Sequence, residues 1–225
     1  MKNVFTMMEQ SCHQDIKKVL QVYLLEAIVV TWLIFFKGLE SWMYLVTLLA
    51  GLVGIVVLET RRIYHQCTDG SIHRLLLLPI KRSTFFWSEV IYCTSALLGV
   101  PMILYVLWIL LAPMAVSLDA FTFLIYSWNN PAVSLLFPSN PIRILSWVLL
   151  LVAIAIQCVV MALSCGLKQG KYRHAIINAV FWSIIFVGDI SDTGFYLTIL
   201  FALAFVIEGI YEARSLLHIQ KKVKT

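Results

Sequence analysis

Apolar residues in this chain gather into six long runs, at 19–36, 41–58, 85–111, 144–166, 175–188 and 193–211, separated by polar or mixed gaps. A helix rises about 1.5 Å per residue and bilayer hydrocarbon is about 30 Å thick, so about 20 apolar residues make one crossing. The runs predict an all-α polytopic protein with six transmembrane helices. Ahead of them, Val4, Met8, Cys12, Ile16 and Val19 recur at intervals near four, with Lys2, Glu9, Gln10, His13 and Lys17 around the rest of the turn. That period predicts an amphipathic helix over residues 1–18, lying on the inner membrane surface before the chain turns in. It serves as an anchor or as a surface for a cytoplasmic partner.

The distribution of charge gives the runs an orientation. Of seventeen lysines and arginines, fifteen fall in alternate gaps: Lys2, Lys17 and Lys18; Arg61, Arg62, Arg74, Lys81 and Arg82; Lys168, Lys171 and Arg173; Arg214, Lys221, Lys222 and Lys224. Only Lys37 and Arg143 lie on the other side. Cytoplasmic loops retain Lys and Arg, so both termini are expected inside a cell membrane. Composition agrees, because 61% hydrophobic and 13% charged residues leave too little polar surface for a soluble fold of this size. The whole chain, 1–225, reads as a single transmembrane domain. Its net charge of +5 then reflects topology and attraction to anionic lipid, with no nucleic-acid signature.

The first run follows an eighteen-residue polar segment and lacks a small-residue cleavage site, which predicts a retained helix rather than a signal peptide. Cys12 and Cys67 are assigned to the cytoplasmic side, and Cys93, Cys158 and Cys165 to membrane helices. Neither a disulfide framework nor paired Cys/His spacing for zinc emerges.

Lys37, Gly38, Leu39 and Glu40 form a very short external turn, so the first two crossings should pack as antiparallel neighbours. The cytoplasmic loop that follows, 61–84, carries the most informative local pattern. Asp69 or Ser71 can cap a helix, Ile72, Leu75, Leu76, Leu77 and Leu78 supply an apolar face, and Pro79 stops it. A helix of about two turns is too short to span. Arg74, Lys81 and Arg82 hold it on the cytoplasmic side.

Gly70, Ser71, Ile72, Leu75, Leu76, Pro79, Ile80, Lys81 and Arg82 follow an order and spacing that resembles the exporter-type (type-2) permease family of ABC transporters. Six crossings, internal termini and a surface helix before the first crossing extend the resemblance over nearly the whole chain. Cys67 and Thr68, where charged residues are common in the family, and Glu89, where Lys is frequent, depart from it. The resemblance implies that residues 69–82 form a coupling helix docking on an ATP-hydrolysing subunit. It implies two ABC ATPase subunits per complex, a second permease copy or a related permease, and a bacterial plasma or inner membrane location.

This chain has no phosphate-cradling loop of its own. Gly166 to Gly170 has three intervening residues where the Walker A loop has four, and Tyr172 stands where Ser or Thr would bind magnesium. No cofactor is expected here, with ATP and magnesium on the partner ATPase. The reading is a transport subunit, not an enzyme.

The external segment 112–143 holds Pro113, Pro131, Pro138 and Pro141 with Phe121, Phe123, Tyr126, Trp128 and Phe137. Leu118, Phe121, Leu124, Ile125 and Trp128 fall at helical spacing, predicting an interfacial or re-entrant helix in the outer leaflet. Phe121 and Trp128 act as an aromatic anchor or as an exit gate. The last apolar run gives way to a cytoplasmic tail, 212–225.

Carboxylates within apolar runs face cavities or partners, since a charge at bilayer centre costs about 3 kcal/mol or more. Glu26 lies eight residues beyond Lys18, roughly 12 Å into the membrane. It points to a substrate path, a dimer seam or a bond to a neighbouring helix. Glu208 lies nearer the inner interface, within reach of Arg214. An intramembrane enzyme is disfavoured: His13, His65, His73, His174 and His218 all map to cytoplasmic segments, and no nucleophile elbow is present. A non-transporting sensor or scaffold subunit would share the coupling loop. The apolar outer segment suits an amphipathic cargo such as an antimicrobial or signalling peptide, a lipid-like molecule or a drug. Glu26→Gln is expected to alter export more than Glu208→Gln; wild-type export in both variants would remove the cavity role.

Overall fold

The computed structural model describes residues 2–36, 43–68, 82–116, 141–166 and 192–222. Among these residues every element is an α-helix: α1 (Lys2–Phe36), α2 (Met43–Thr68), α3 (Arg82–Val116), α4 (Pro141–Gly166) and α5 (Asp192–Lys222). Three carry stretches long and apolar enough to cross a membrane, Ile16–Phe36, Ser83–Leu111 and Ile144–Cys165. The second and sixth predicted runs fall in α2 and α5. The fifth run, 175–188, lies outside the described residues, as do the external turn at 37–40 and most of the outer segment.

Several boundaries differ from the sequence reading. The segment expected as a separate surface helix over 1–18 continues into the first apolar run as one unbroken helix, Lys2–Phe36. No Gly or Pro interrupts residues 2–36, so nothing local stops the helix. Of the segment assigned to 61–84, residues 61–68 belong to α2 and 82–84 to α3, and the rest lies outside the described residues. The first helix breaker after the apolar run of α2 is Gly70. The tail expected from 212 is helical through Lys222. Pro141 is the first residue of α4, where its missing N–H forfeits no intrahelical bond. Pro101 and Pro113 lie inside α3.

The helices sort by how much of each is covered. Within its apolar stretch α4 is 67% buried, against 28% for those of α1 and α3, so α4 is the central helix and the other two lie outside it. Ala153 to Val160 of α4 is buried without a break. In α1, Leu20, Leu24, Ile28, Trp32 and Phe35 are exposed while Val19, Val30, Leu33 and Ile34 are buried. Such an apolar exposed face suits lipid. The hydroxyls of Thr31, Thr47 and Thr94 each donate to the carbonyl four residues earlier, at 2.7–2.9 Å. That satisfies them within their own helix where no water is at hand.

α2 and α3 run antiparallel. Near one end, Tyr44 meets Trp108 edge to face at 5.0 Å between ring centres, both buried. At the same depth as the middle of α2, α1 approaches α3 closely. The Tyr23 hydroxyl donates to the Ala96 carbonyl at 2.6 Å, and the ring tip occupies the space a side chain at Gly99 would need. A Cβ there would lie 2.1 Å from the Tyr23 oxygen and 2.4 Å from Cζ. Small residues at helix crossings permit such approach, and packing contacts then replace a hydrophobic drive that lipid does not provide.

Gly99→Ala should therefore displace Tyr23 and lower stability by about 1–3 kcal/mol, the usual cost of overpacking. Gly54→Ala is the control, since its nearest side-chain atom is Val22 Cγ1 at an ordinary 3.6 Å. Thermal unfolding in lipid or detergent should lower the midpoint for the first and not for the second.

Candidate functional site

Three charged side chains from two of the described helices come together beyond the apolar run of α2. Glu59 and Arg62 are three residues apart, which places them on one face. Arg62 Nε and Nη2 donate to Glu59 Oε2 at 2.9 and 2.8 Å. Nη2 also donates to Glu89 Oε2 on α3, so a single guanidinium joins the two helices. Its central carbon lies 5.0 Å from the ring centre of Tyr92, one turn beyond Glu89. Relative exposures of 0% for Glu59, 7% for Arg62 and 2% for Glu89 put all three charges out of water. Next to them, the Thr60 hydroxyl and the Cys158 thiol are 3.1 Å apart, which brings α4 to the same level.

Geometry explains how three charges persist there. An arginine offers a planar fork of donors, and a partly buried guanidinium also gains from lying over an aromatic face. Burial alone would lower the Arg62 pKa, but the carboxylates of Glu89 and Glu59 outweigh it and raise the pKa above its ordinary value, so Arg62 stays charged. Burial, with a smaller push from Glu89, takes the Cys67 thiol up to about 11, leaving it a neutral thiol at physiological pH. Breaking one member of a buried ion pair typically costs 3–5 kcal/mol, because the remaining charges stay buried without compensation.

The cluster fixes two helices against each other. Its position is what matters. Arg62 is six residues before the end of α2, and Glu89 is seven residues after the start of α3. Between those ends lies 69–81, so the cluster ties together the two stems of that segment.

The predicted coupling residues Asp69, Gly70, Ser71, Ile72, Arg74, Leu75, Leu76, Pro79 and Lys81 lie outside the described residues, and Arg82 is the first residue of α3. Phe121 and Trp128 also lie outside. Glu26 is buried at 2% exposure between α1, α2 and α3, about 12 Å along α2 from Glu59 when measured from Gly51, its neighbour there. Glu208 is half-buried on α5, and Arg214 is exposed. Among the described residues, no group of three His, Cys, Asp or Glu side chains could hold a metal ion.

Sequence reasoning did not find the cluster. Arg62 counted only toward topology, Glu59 went unremarked, and Glu89 stood only as a departure from a family pattern. The available signal was a carboxylate near the end of each of two apolar runs, with an arginine three residues from one of them. Each is hard to place in membrane without a partner. No protein family, curated protein or solved structure matches this chain.

Arg62→Ala should destabilise the protein by about 3–5 kcal/mol, since it leaves two buried carboxylates facing each other. Arg62→Lys should recover part of this, because an ammonium keeps the charge and loses the fork. Unfolding measurements on the pair give the ranking, and equal stability of Arg62→Ala and wild type would contradict the arrangement.

Proposed function

We propose that this chain is the membrane-spanning permease subunit of an ATP-driven exporter of the ABC type, moving an amphipathic substrate out of the cytoplasm or the inner leaflet. The observation that carries the reading is the Glu59–Arg62–Glu89 cluster. A segment that receives a push must be joined stiffly to the helices it moves, and this cluster stiffens the two stems of 69–81. The sequence of that segment, Gly70 to Arg82, supplies the resemblance to a coupling helix.

In this proposal two ATPase subunits grip residues 69–82 of two permease copies, or of this chain and a related one. Closure of the motors displaces the paired stems as one unit. Because α2 also meets α4 at Thr60 and Cys158, the displacement reaches the central helix and changes access between the two membrane faces. Both termini are cytoplasmic in this scheme, in a cell membrane. ATP and magnesium belong to the partner, and no covalent chemistry occurs in the permease.

The test is to extract the tagged full-length chain from its own membranes and reconstitute what accompanies it. An ATP-hydrolysing partner should copurify, and an amphipathic peptide should stimulate its hydrolysis. Leu75→Asp and Leu76→Asp should abolish the association while leaving the chain in the membrane. Purification of the intact chain without any ATP-hydrolysing partner would overturn the proposal. Association without movement of cargo would turn the reading to a sensor or scaffold subunit.

A further inference from the structure

Glu26 sits where its chemistry is hardest to accommodate. It lies near the middle of the first apolar run, 2% exposed, and neither carboxyl oxygen has a hydrogen-bond partner. Its surroundings are closely packed. A Cβ added to Gly51 of α2 would lie 2.8 Å from Val100 Cγ1 of α3 and 3.2 Å from both Cδ and Oε2 of Glu26. The carboxyl therefore fills the slot that Gly51 leaves open.

The titratable group beside it on α1 is Tyr23, whose hydroxyl donates to the Ala96 carbonyl of α3. On α2, Glu59 stands about 12 Å away along the helix and belongs to the arginine cluster. On α3, Val100 lies beside the carboxyl while Gly99 and Ala96 meet Tyr23, and none of them is charged. No cation among the described residues offsets a charge on Glu26. An ionised carboxylate buried without a partner is too costly to persist, so the carboxyl in this packing is the uncharged acid.

We infer that Glu26, lodged against Gly51 and Val100, is a proton-binding site whose occupancy is tied to the packing of α1, α2 and α3. The ligand is a proton: neither carboxyl oxygen has a hydrogen-bond partner, and among the described residues no cationic side chain pairs with the group. Parting of the three helices admits water, and the hydrated carboxyl releases the proton. Reclosure takes one up. By linkage, a rise in pH favours the parted arrangement, since the closed seam holds a proton that the open one gives away. The inference stands apart from the exporter reading, since it concerns helix packing and needs no ATPase.

Infrared difference spectroscopy on the full-length chain in phosphatidylcholine vesicles tests it. At about pH 7, where an ordinary glutamate with a pKa near 4.3 is ionised, the wild type should show the carbonyl stretch of an undissociated carboxylic acid. That band should shift in deuterated water and be missing from Glu26→Gln. Labelling of the wild type by an apolar carbodiimide, which attacks the acid form, should map to Glu26 by mass spectrometry, so the test survives a failure of the variant to fold. Thermal stability should fall with rising pH in the wild type and lose that part of its pH dependence in Glu26→Gln. Absence of the acid band at neutral pH, its persistence in Glu26→Gln, or labelling that spares Glu26 would each overturn the inference.

Discussion

A single guanidinium, Arg62, holds two carboxylates from different helices in a place where none of the three meets water. Lipid-facing helices gain little from burying apolar surface against one another, because hydrocarbon tails are as apolar as leucine. What fixes their register is polar pairing and close packing. The Glu59–Arg62–Glu89 cluster does this for α2 and α3, with Tyr92 under the guanidinium. Truncating Arg62 leaves both carboxylates uncompensated, which gives that crossing one strongly preferred arrangement.

The other crossings use smaller devices. Tyr23 against Gly99 and Glu26 against Gly51 bring α1 onto α3 and α2, while Gln157 donates to the Phe205 carbonyl at 3.0 Å to join α4 and α5. The bundle thus has two levels with different character. Near the ends of α2 and α3 that flank 69–81, paired charges make a stiff joint. At mid-depth, an uncharged acid in a glycine slot makes a joint that the arrival of water can weaken. Under the proposed exporter function, a push delivered to 69–81 would move the stiff joint as a unit and be absorbed at the softer one.

Much of the helical framework was legible in the sequence because it follows from run length. Residues 19–36, 85–111 and 144–166 are long enough to span, and each lies inside a helix with an apolar stretch of the required length. Helix ends were less legible, since apolar periodicity says where a helix is greasy and not where its backbone bonds stop. Residues 61–68 are polar yet helical, because nothing before Gly70 breaks the turn. Glu26 stood out as a carboxylate in an apolar run, and the structure buries it. The pairing of Arg62 with Glu89 spans 27 positions and depends on how α2 and α3 face each other, which no local pattern encodes.

The central claim is that the ion cluster clamps the stems of the segment 69–81. Spin labels at Thr68 and Ser83, both exposed and one on each stem, allow their separation to be measured in lipid by double electron–electron resonance. The account predicts one narrow distance distribution in the resting protein, broadening when Arg62 is replaced by Gln. A broad distribution in the otherwise wild-type protein, or one that the Arg62→Gln substitution leaves unchanged, would contradict it.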